Sequence, residues 1–218
     1  MTLRAVLFDL DDTLHEKSGT LRAVAAAQYG SAKLASIAVK EGEWELEYVR
    51  LNNLRIEKTE VFARLQAHFE LPSPLTATLL KDFDSNLGRS ARPCAGALEL
   101  VEACRVRGLK VGIVTNGRDA FQRSKIEGIG LTELVDLVVT SAEFGAKKPD
   151  QRIFRHCLEG LEVLPAEAAF VGDDFEADMA PSIELGMRAI WKSPTGSPRV
   201  AFSSESLYEI RAFLLQAV

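Results

Sequence analysis

The sequence predicts a doubly wound α/β fold with an additional helical segment inserted into it. Five short apolar runs alternate with amphipathic stretches along most of the chain of 218 residues. The runs are continuously apolar, which is typical of parallel strands that are covered by helices on both faces. One interval, between the first and the second run, is far longer than a crossover connection requires. These observations together predict a parallel-sheet core and a separate inserted domain.

The strands and helices of the core are predicted from short apolar runs and from helical spacing. Four stretches between the runs place apolar residues three or four positions apart, as an amphipathic helix does. Strands that alternate with helices predict βαβ units and hence a parallel sheet. The predicted strands are residues 5–8, 111–114, 134–139, 169–171 and 188–191, and the predicted helices are residues 98–107, 120–126, 153–161 and 178–185.

The interval after the first strand is almost wholly helical in pattern. Apolar residues such as Trp44 and Tyr48 recur at helical spacing, and no strand-like run interrupts them. A parallel crossover needs only about 10–12 residues, including its helix. We therefore predict an inserted helical domain over residues 16–90, and a core formed by residues 1–15 and 91–218.

Composition limits the classes of function. The net charge of −5 offers no basic surface of the kind that binds nucleic acid. No apolar run is long enough to span a membrane, and acidic residues come too early for a secretory signal. Cys94, Cys104 and Cys157 have neither metal-ligand nor redox spacing. We expect a soluble, cytoplasmic protein with reduced cysteines, a monomer or weak homodimer without nucleic-acid or membrane partners.

The first candidate motif follows the first predicted strand. Asp9 and Asp11 are two residues apart, so a strand directs both side chains to the same side. Two neighbouring carboxylates repel each other unless a cation or a shared proton relieves them, and a hard cation such as Mg²⁺ prefers oxygen ligands. A solvated acidic turn is the alternative, but the position at the end of an apolar strand favours a metal site.

The second motif, Thr115-Asn116-Gly117, again comes directly after an apolar strand. Asn-Gly is a turn signal. Thr115 supplies a hydroxyl, and the next amides can point toward an anion. Taken alone, the motif is better explained as an ordinary strand-to-helix turn.

The third motif is a pair of lysines, Lys147 and Lys148, before Pro149, which is predicted to begin a helix. A lysine at a helix start is unfavourable by about 0.3 kcal/mol or more. An anion held there would turn this penalty into an attraction. A residue type that is unfavourable at its local position is typical of a functional site. We assign this role to Lys148 and place Lys147 at the surface, although periodicity does not separate the two and solvated lysines are common.

The fourth motif is a concentration of acids after the predicted strand 169–171. Asp173, Asp174, Glu176 and Asp178 fall within six residues. The helix dipole explains some acid at a helix start, but four acids exceed what it requires. A cation near Asp173, with support from Asp178 in the first helical turn, is the sharper hypothesis.

The four motifs are more specific together than apart, because each follows a predicted strand. The carboxyl ends of parallel strands meet at one edge of a sheet, where ligands bind in such folds. Carboxylates that hold a metal, together with a lysine and a hydroxyl that hold an anion, are the requirements of phosphoryl transfer.

On these residues the sequence resembles the haloacid dehalogenase superfamily of phosphatases, in the branch with a helical cap inserted after the first motif. The resemblance implies a Rossmann-like core, with residues 16–90 as the cap. The order and spacing of the motifs fit over residues 7–14, 111–117, 143–154 and 170–187.

The resemblance implies catalytic roles for the first two motifs. Asp9 would be the nucleophile that forms an aspartyl-phosphate, and Asp11 would act first as general acid and then as base. The neighbouring carboxylate is expected to raise the pKa of Asp11, although the metal opposes this. Thr115 would bind the phosphoryl oxygens, helped by the amides of Asn116 and Gly117.

The resemblance also implies how the charges of the other motifs are used. Lys148 would neutralise the nucleophile and the transferring group. Mg²⁺ would be bound by Asp9, Asp173 and the backbone carbonyl of Asp11, and Asp178 would hold a metal-bound water or Lys148.

Other positions depart from the family pattern or carry no motif. Asp12 stands where glycine is common, and Asp174, a candidate support for the metal site, stands where serine is frequent. His15 follows the first motif and is expected near the entrance of the site. Candidates in the cap for contact with the substrate, for which a solvated helix face is nevertheless favoured, are Arg50, Asn53 and Arg55.

The expected function is the hydrolysis of a small phosphate monoester. The nearest alternative is a phosphomutase similar to β-phosphoglucomutase, which differs only in the acceptor of the phosphoryl group. Dehalogenation needs neither Asp11 nor Asp173, and phosphonate cleavage needs a cap lysine that nothing in the sequence marks. A phosphate-binding or regulatory protein that has kept the fold without activity is a further alternative.

Overall fold

The computed structural model describes residues 2–54 and 56–216, and the chain divides into two compact units. The core unit consists of Met1–Glu16 and Pro93–Val218, and the cap unit of Lys17–Arg92. These boundaries lie within two residues of those predicted from the sequence.

A parallel sheet forms the centre of the core unit. Among the described residues its strands are β1 (Ala5–Phe8), β2 (Lys110–Thr115), β3 (Leu137–Thr140), β4 (Ala168–Gly172), β5 (Arg188–Trp191) and β6 (Phe202–Ser203). The strand order is β3-β2-β1-β4-β5-β6, and every pairing is parallel. From β1 the chain continues to β2 and β3 on one side, and β4, β5 and β6 then follow on the other side. The switch point where such folds bind ligands therefore lies at the end of β1. The predicted doubly wound α/β fold is confirmed.

The cap unit is helical in its described part. Its helices are α1 (Lys17–Ser31), α2 (Glu41–Asn52), α3 (Lys58–Phe69) and α4 (Ser73–Asn86). Trp44, Tyr48, Phe62 and Phe83 fill its interior, with neighbouring ring centroids 5.3 to 6.4 Å apart. The indole N–H of Trp44 donates to the carbonyl of Ala25 at 2.9 Å. Aromatic packing of this kind buries large apolar areas and gives the unit a core of its own.

Helices follow the strands of the core unit. They are α5 (Ala97–Val106), α6 (Asp119–Gly128), α7 (Ser141–Phe144), α8 (Gln151–Gly160), α9 (Ala180–Glu184) and α10 (Leu207–Gln216). All residues of β1 and β4 are buried. Burial on both faces explains why these strands are apolar throughout instead of alternating.

The predicted strand 134–139 begins later than expected, at Leu137. Residues 132–134 form a 3₁₀ turn, and the carboxylate of Asp136 accepts a hydrogen bond from the backbone N–H of Val111 at 2.7 Å and pairs with Arg105. The side chain of Asp136 thus occupies the position where the ladder would otherwise begin. β6 was not predicted, because two residues give no periodicity.

The helices and the cysteines bear on two further expectations from the sequence, which concern membrane-spanning segments and thiol reactivity. In the part of the chain that the structure describes, none of the helices has the length and apolar character needed to cross a membrane. The three cysteines are free thiols, and burial raises the pKa of both Cys104 and Cys157 to about 12. These two thiols therefore stay protonated and unreactive near neutral pH.

Candidate active site

The first motif forms a tight loop at the end of β1. The backbone N–H of Asp9 donates to the carbonyl of Val171 at 2.9 Å, which continues the pairing with β4. The carbonyl of Leu10 then accepts the amide of His15 at 2.8 Å, so the chain turns back at once. Asp12 lies at the turn with φ of 62°, a left-handed conformation that glycine favours and aspartate tolerates. This explains how aspartate can stand at a position where glycine is common.

Lys148 lies among the carboxylates at the ends of β1 and β4. Its ammonium donates to Asp9 Oδ1 at 2.5 Å and to Asp178 Oδ1 at 2.7 Å, and the residue is only 4% exposed. Burial opposes the charge of Lys148, but Asp9 and Asp178 outweigh it and hold the pKa of Lys148 well above its usual value. Lys147 is exposed. The structure therefore places Lys148, and not its neighbour, within the candidate site.

Three carboxylates form the acidic part of the site. Asp9, Asp173 and Asp178 each present an oxygen within 4.8 Å of the others. Burial and the charge of Asp9 raise the pKa of Asp173 to about 6. Burial also raises the pKa of Asp178, to about 7. The charge of Lys148 opposes this rise, and the charge of Asp9 adds to it. Hard oxygen ligands gathered in this way are suited to a divalent cation.

Gly172 makes room for one of these carboxylates. A Cβ at this position would lie 2.4 Å from Asp178 Oδ2, which is closer than any real contact. The glycine at the end of β4 is therefore required by the close approach of Asp178.

Asp174 serves the backbone of the next element. Its carboxylate accepts the amide N–H groups of Glu176 at 3.0 Å and Ala177 at 2.9 Å, which caps a single π-helical turn over Phe175–Met179. The helix predicted over 178–185 thus begins earlier than expected, with this turn. Among the described residues, the side chain of Asp174 is not part of the carboxylate cluster.

The second motif is tied to its neighbours by side-chain hydrogen bonds. The side chain of Asn116 accepts the backbone N–H of Lys148 at 2.8 Å and donates to the Lys148 carbonyl at 3.1 Å. This pair of bonds links the end of β2 to the segment that carries Lys148. Thr115 is buried beside it. The amide of Gly117 donates to Ser141 Oγ at 2.9 Å. The expectation that this amide points toward an anion is therefore wrong for this structure, because the hydroxyl at the start of α7 already occupies it.

Asp11 is held by two basic side chains. Lys125 Nζ donates to both carboxylate oxygens of Asp11, at 2.8 and 2.7 Å, and His15 Nδ1 lies 2.7 Å from Oδ1. Burial opposes the charge of Asp11, but Lys125 and His15 outweigh it and hold the pKa of Asp11 well below its usual range. The predicted rise of this pKa is therefore wrong. His15 is itself buried against Asp11, so it does not line an entrance.

Sequence reasoning missed two polar residues of the site, Gln122 and Lys125. Both are buried on α6, on the face that also carries Ile126. The available signal was a lysine and a glutamine within the apolar face of a predicted helix. Such residues need partners when buried, and the helix begins directly after the second motif.

The cap residues proposed from the sequence have local partners or lie outside the description. Arg50 forms two hydrogen bonds of 2.6 Å with Glu47 on an exposed helix face, and Asn53 is exposed. Arg55 lies outside the described residues. The pairing of Arg50 is what a solvated helix face would show.

A cavity of about 950 Å³ lies elsewhere on the core unit, between α6 and β3. Its lining includes Arg123, Glu127, Asp136 and Phe144, but none of the residues of the four motifs. Cavity size therefore does not identify the site, which is assigned from the convergence of carboxylates, lysines and a hydroxyl.

The chain is similar to known phosphatases over most of its length. A family model described as haloacid dehalogenase-like hydrolase matches residues 3–186. Ribulose-1,5-bisphosphate 5-phosphatase of Halopiger xanaduensis is 31% identical over 204 residues, which cover 88% of this chain and 85% of that protein. Glyceraldehyde 3-phosphate phosphatase of Methanocaldococcus jannaschii is 27% identical over 85% and 82%. A solved HAD phosphatase from Thermococcus onnurineus is similar with a TM-score of 0.67 and 25% identity, over 97% of this chain and 98% of the other.

Proposed function

This chain belongs to the haloacid dehalogenase-like hydrolase family and is a phosphoric monoester hydrolase, and we propose that it cleaves small phosphate monoesters through an aspartyl-phosphate on Asp9. The observation that carries the proposal is the contact of the Lys148 ammonium with Asp9 at 2.5 Å and Asp178 at 2.7 Å. A buried cation beside a carboxylate nucleophile offsets the repulsion that an anionic phosphate would otherwise meet.

In the first step, a carboxylate oxygen of Asp9 attacks phosphorus and the bond between phosphorus and the ester oxygen breaks. Asp11 gives the departing alcohol its proton. The pairing of Asp11 with Lys125 and His15 favours its ionised form. The negative charge of a phosphate dianion in the site would oppose the charge of Asp11, so Asp11 takes up its proton when the substrate binds.

In the second step, water attacks the phosphorus atom of the aspartyl-phosphate. Asp11 accepts the proton of this water, and the bond between phosphorus and the Asp9 oxygen breaks. Inorganic phosphate leaves. The pairing of Asp11 with Lys125 and His15, which lowers the pKa of Asp11, favours the ionised form that this step requires, since a base must begin unprotonated.

Mg²⁺ is the cofactor that we propose, and the residues present fit it. The oxygen ligands of Asp9 and Asp173 lie within 4.8 Å of each other, and the raised pKa of Asp173, to about 6, reflects burial next to other carboxylates. Asp9, Asp173 and the backbone carbonyl of Asp11 would hold the ion, since the side chain of Asp11 is turned to Lys125 and His15. When bound, Mg²⁺ supplies positive charge for the phosphoryl oxygens.

The substrate class that we propose is a small phosphorylated metabolite. The names of two relatives that match most of this chain identify phosphatases of phosphorylated sugars, a ribulose bisphosphate and a glyceraldehyde phosphate. Sugar phosphates therefore come before nucleotides and phosphoglycolate in order of testing. The net charge of −5 favours such a ligand over nucleic acid, and the compartment that we propose is the cytoplasm.

The experiment is a Mg²⁺-dependent screen for phosphate release over a panel of phosphorylated metabolites, with the Asp9→Asn variant as the blank. We expect release by the unchanged protein, loss of release with a chelator, and none above background with Asp9→Asn. Rapid acid quench with ³²P-labelled substrate should leave label on the unchanged protein only. Turnover by Asp9→Asn at the unchanged rate would exclude Asp9 as nucleophile.

The same screen separates the alternatives. A phosphomutase would need a sugar phosphate acceptor and would release little inorganic phosphate without one. A protein that only binds phosphate would release none from any compound and would still bind inorganic phosphate in calorimetry.

A further inference from the structure

The buried face of α6 carries two polar residues that do not react in the proposed mechanism. Gln122 is 1% exposed and Lys125 is 4% exposed, and they lie three positions apart on the same side of the helix. Burying an amide and an ammonium costs free energy unless each is well paired. Where their hydrogen bonds go therefore indicates what the two side chains contribute.

Lys125 fixes the carboxylate of Asp11. Its ammonium lies 2.8 Å from Oδ1 and 2.7 Å from Oδ2, so it contacts both oxygens at once. His15 Nδ1 also lies 2.7 Å from Oδ1. A carboxylate held at both oxygens has little freedom to rotate, so the orientation of Asp11 depends on α6.

Gln122 sets the direction of the Thr115 hydroxyl. Its Nε2 lies 2.6 Å from Thr115 Oγ1, 3.2 Å from the Asn116 carbonyl and 3.5 Å from Asp11 Oδ2. The carbonyl and the carboxylate can only accept, which identifies this atom as the amide nitrogen. Thr115 Oγ1 must then accept from Gln122, so the hydroxyl proton is left to donate elsewhere. A hydroxyl oriented in this way is a donor for a phosphoryl oxygen.

We propose that Gln122 and Lys125 are positioning residues, which set the Thr115 hydroxyl and the Asp11 carboxylate for phosphoryl transfer. The two act through other side chains and need not touch the substrate. One helix then places both the group that binds the phosphate and the group that transfers the proton. The inference rests on the proposed function, because it assigns roles to the neighbours of the reacting residues.

The test compares the Gln122→Met and Lys125→Met variants, each close in size to the residue that it replaces, with Lys147→Met as a control for an exposed lysine. Steady-state kinetics give kcat and KM for a substrate found in the screen. Calorimetry with Mg²⁺ gives the Kd of inorganic phosphate, and urea unfolding reports folding. Lys125→Gln keeps one donor at the site and is measured as well, in case the methionine variant does not fold.

The expected results differ between the two positions. Lys125→Met should lower kcat by about 10- to 100-fold, the size of effect that misplacing a reacting group produces, with KM and the phosphate Kd within about threefold of the unchanged protein. The kcat of Lys125→Gln should lie between that of Lys125→Met and that of the unchanged protein. Gln122→Met should weaken phosphate binding by about tenfold, the loss expected when one hydrogen bond to an anion is misdirected. Lys147→Met should change neither kcat nor the phosphate Kd.

If the two residues had only a structural role, their variants would lose stability and change kcat, KM and Kd together, or they would fold and stay fully active. Either of these two outcomes would overturn the inference. If the unchanged protein binds inorganic phosphate but turns over nothing in the screen, the proposed function fails. The effect of Gln122→Met on the phosphate Kd would then still decide whether Gln122 orients Thr115.

Discussion

Replacement of Lys148 by methionine removes the cation that joins two buried carboxylates. Methionine is unbranched and similar in length, so the substitution deletes charge and leaves little empty space. The side chain of Lys148 is only 3% exposed, and those of Asp9 and Asp178 are 10% and 1% exposed. Water therefore cannot replace the ammonium fully, and the remaining carboxylates face each other without the lysine cation between them.

The size of the effect follows from these distances. Two unit charges 2.5 to 2.7 Å apart attract by about 6 kcal/mol at an effective dielectric constant near 20, and desolvation of the lysine offsets much of this for the intact cluster. Removing one partner leaves the others buried and uncompensated, which costs about 3–5 kcal/mol. We expect Lys148→Met to lower the free energy of unfolding by this amount without Mg²⁺, and by less with Mg²⁺ in excess, since any cation in the cluster relieves the same repulsion.

The assay is urea unfolding at pH 7.5, with a chelator and with Mg²⁺. Lys147→Met is the matched control and should stay within about 0.5 kcal/mol of the unchanged protein. The double variant Lys148→Met with Asp178→Asn removes one of the unpaired charges and should recover at least half of the loss. If Lys148→Met unfolded at the same urea concentration as the control under chelation, the reasoning about buried charge would be refuted.

Three smaller predictions concern single positions. Gly172→Ala should lower the free energy of unfolding by about 1–3 kcal/mol and kcat by about 100-fold, because the new Cβ would lie 2.4 Å from Asp178 Oδ2. Unchanged kinetics would mean that Asp178 can move without consequence. Asp174→Ala should lower the free energy of unfolding by about 1 kcal/mol through loss of the cap, and it should reduce kcat less than tenfold. A much larger loss of kcat at unchanged stability would instead place Asp174 in the metal site. Tyr48→Phe should leave stability unchanged or raise it by up to about 1 kcal/mol, since the buried Tyr48 hydroxyl has no hydrogen-bond partner among the described protein atoms; a clear loss would contradict this.

Much of the fold and of the candidate site could be predicted because local signals coincided with strand ends. Buried parallel strands are apolar throughout, and this made β1 and β4 recognisable. Polar residues that follow such runs must lie at one edge of the sheet. The cluster of Asp9, Asp173, Asp178 and Lys148 could therefore be placed in one site without any knowledge of side-chain geometry.

The surroundings of the motifs could not be predicted in this way. Whether Lys125 reaches Asp11 depends on the rotation of α6 and on contacts between residues 114 positions apart, which periodicity does not report. Without Lys125, the nearest charge to Asp11 along the chain is another carboxylate, so the sequence predicted a raised pKa where the structure gives a lowered one. Likewise, nothing near Gly117 in the sequence indicates that Ser141 occupies its amide.

The arrangement of charges explains why these residues lie together. Asp11 and Lys125 form one pair whose ionised charges cancel. The second group contains three carboxylates, Asp9, Asp173 and Asp178, and a single lysine, Lys148; in fully ionised form its charges are −3 and +1, a net −2. The raised pKa values of Asp173 and Asp178, about 6 and about 7, show that protons are drawn toward this excess. A divalent cation would balance the same charge without a proton, and each phosphate ester that then enters brings new negative charge to a cluster already close to neutral.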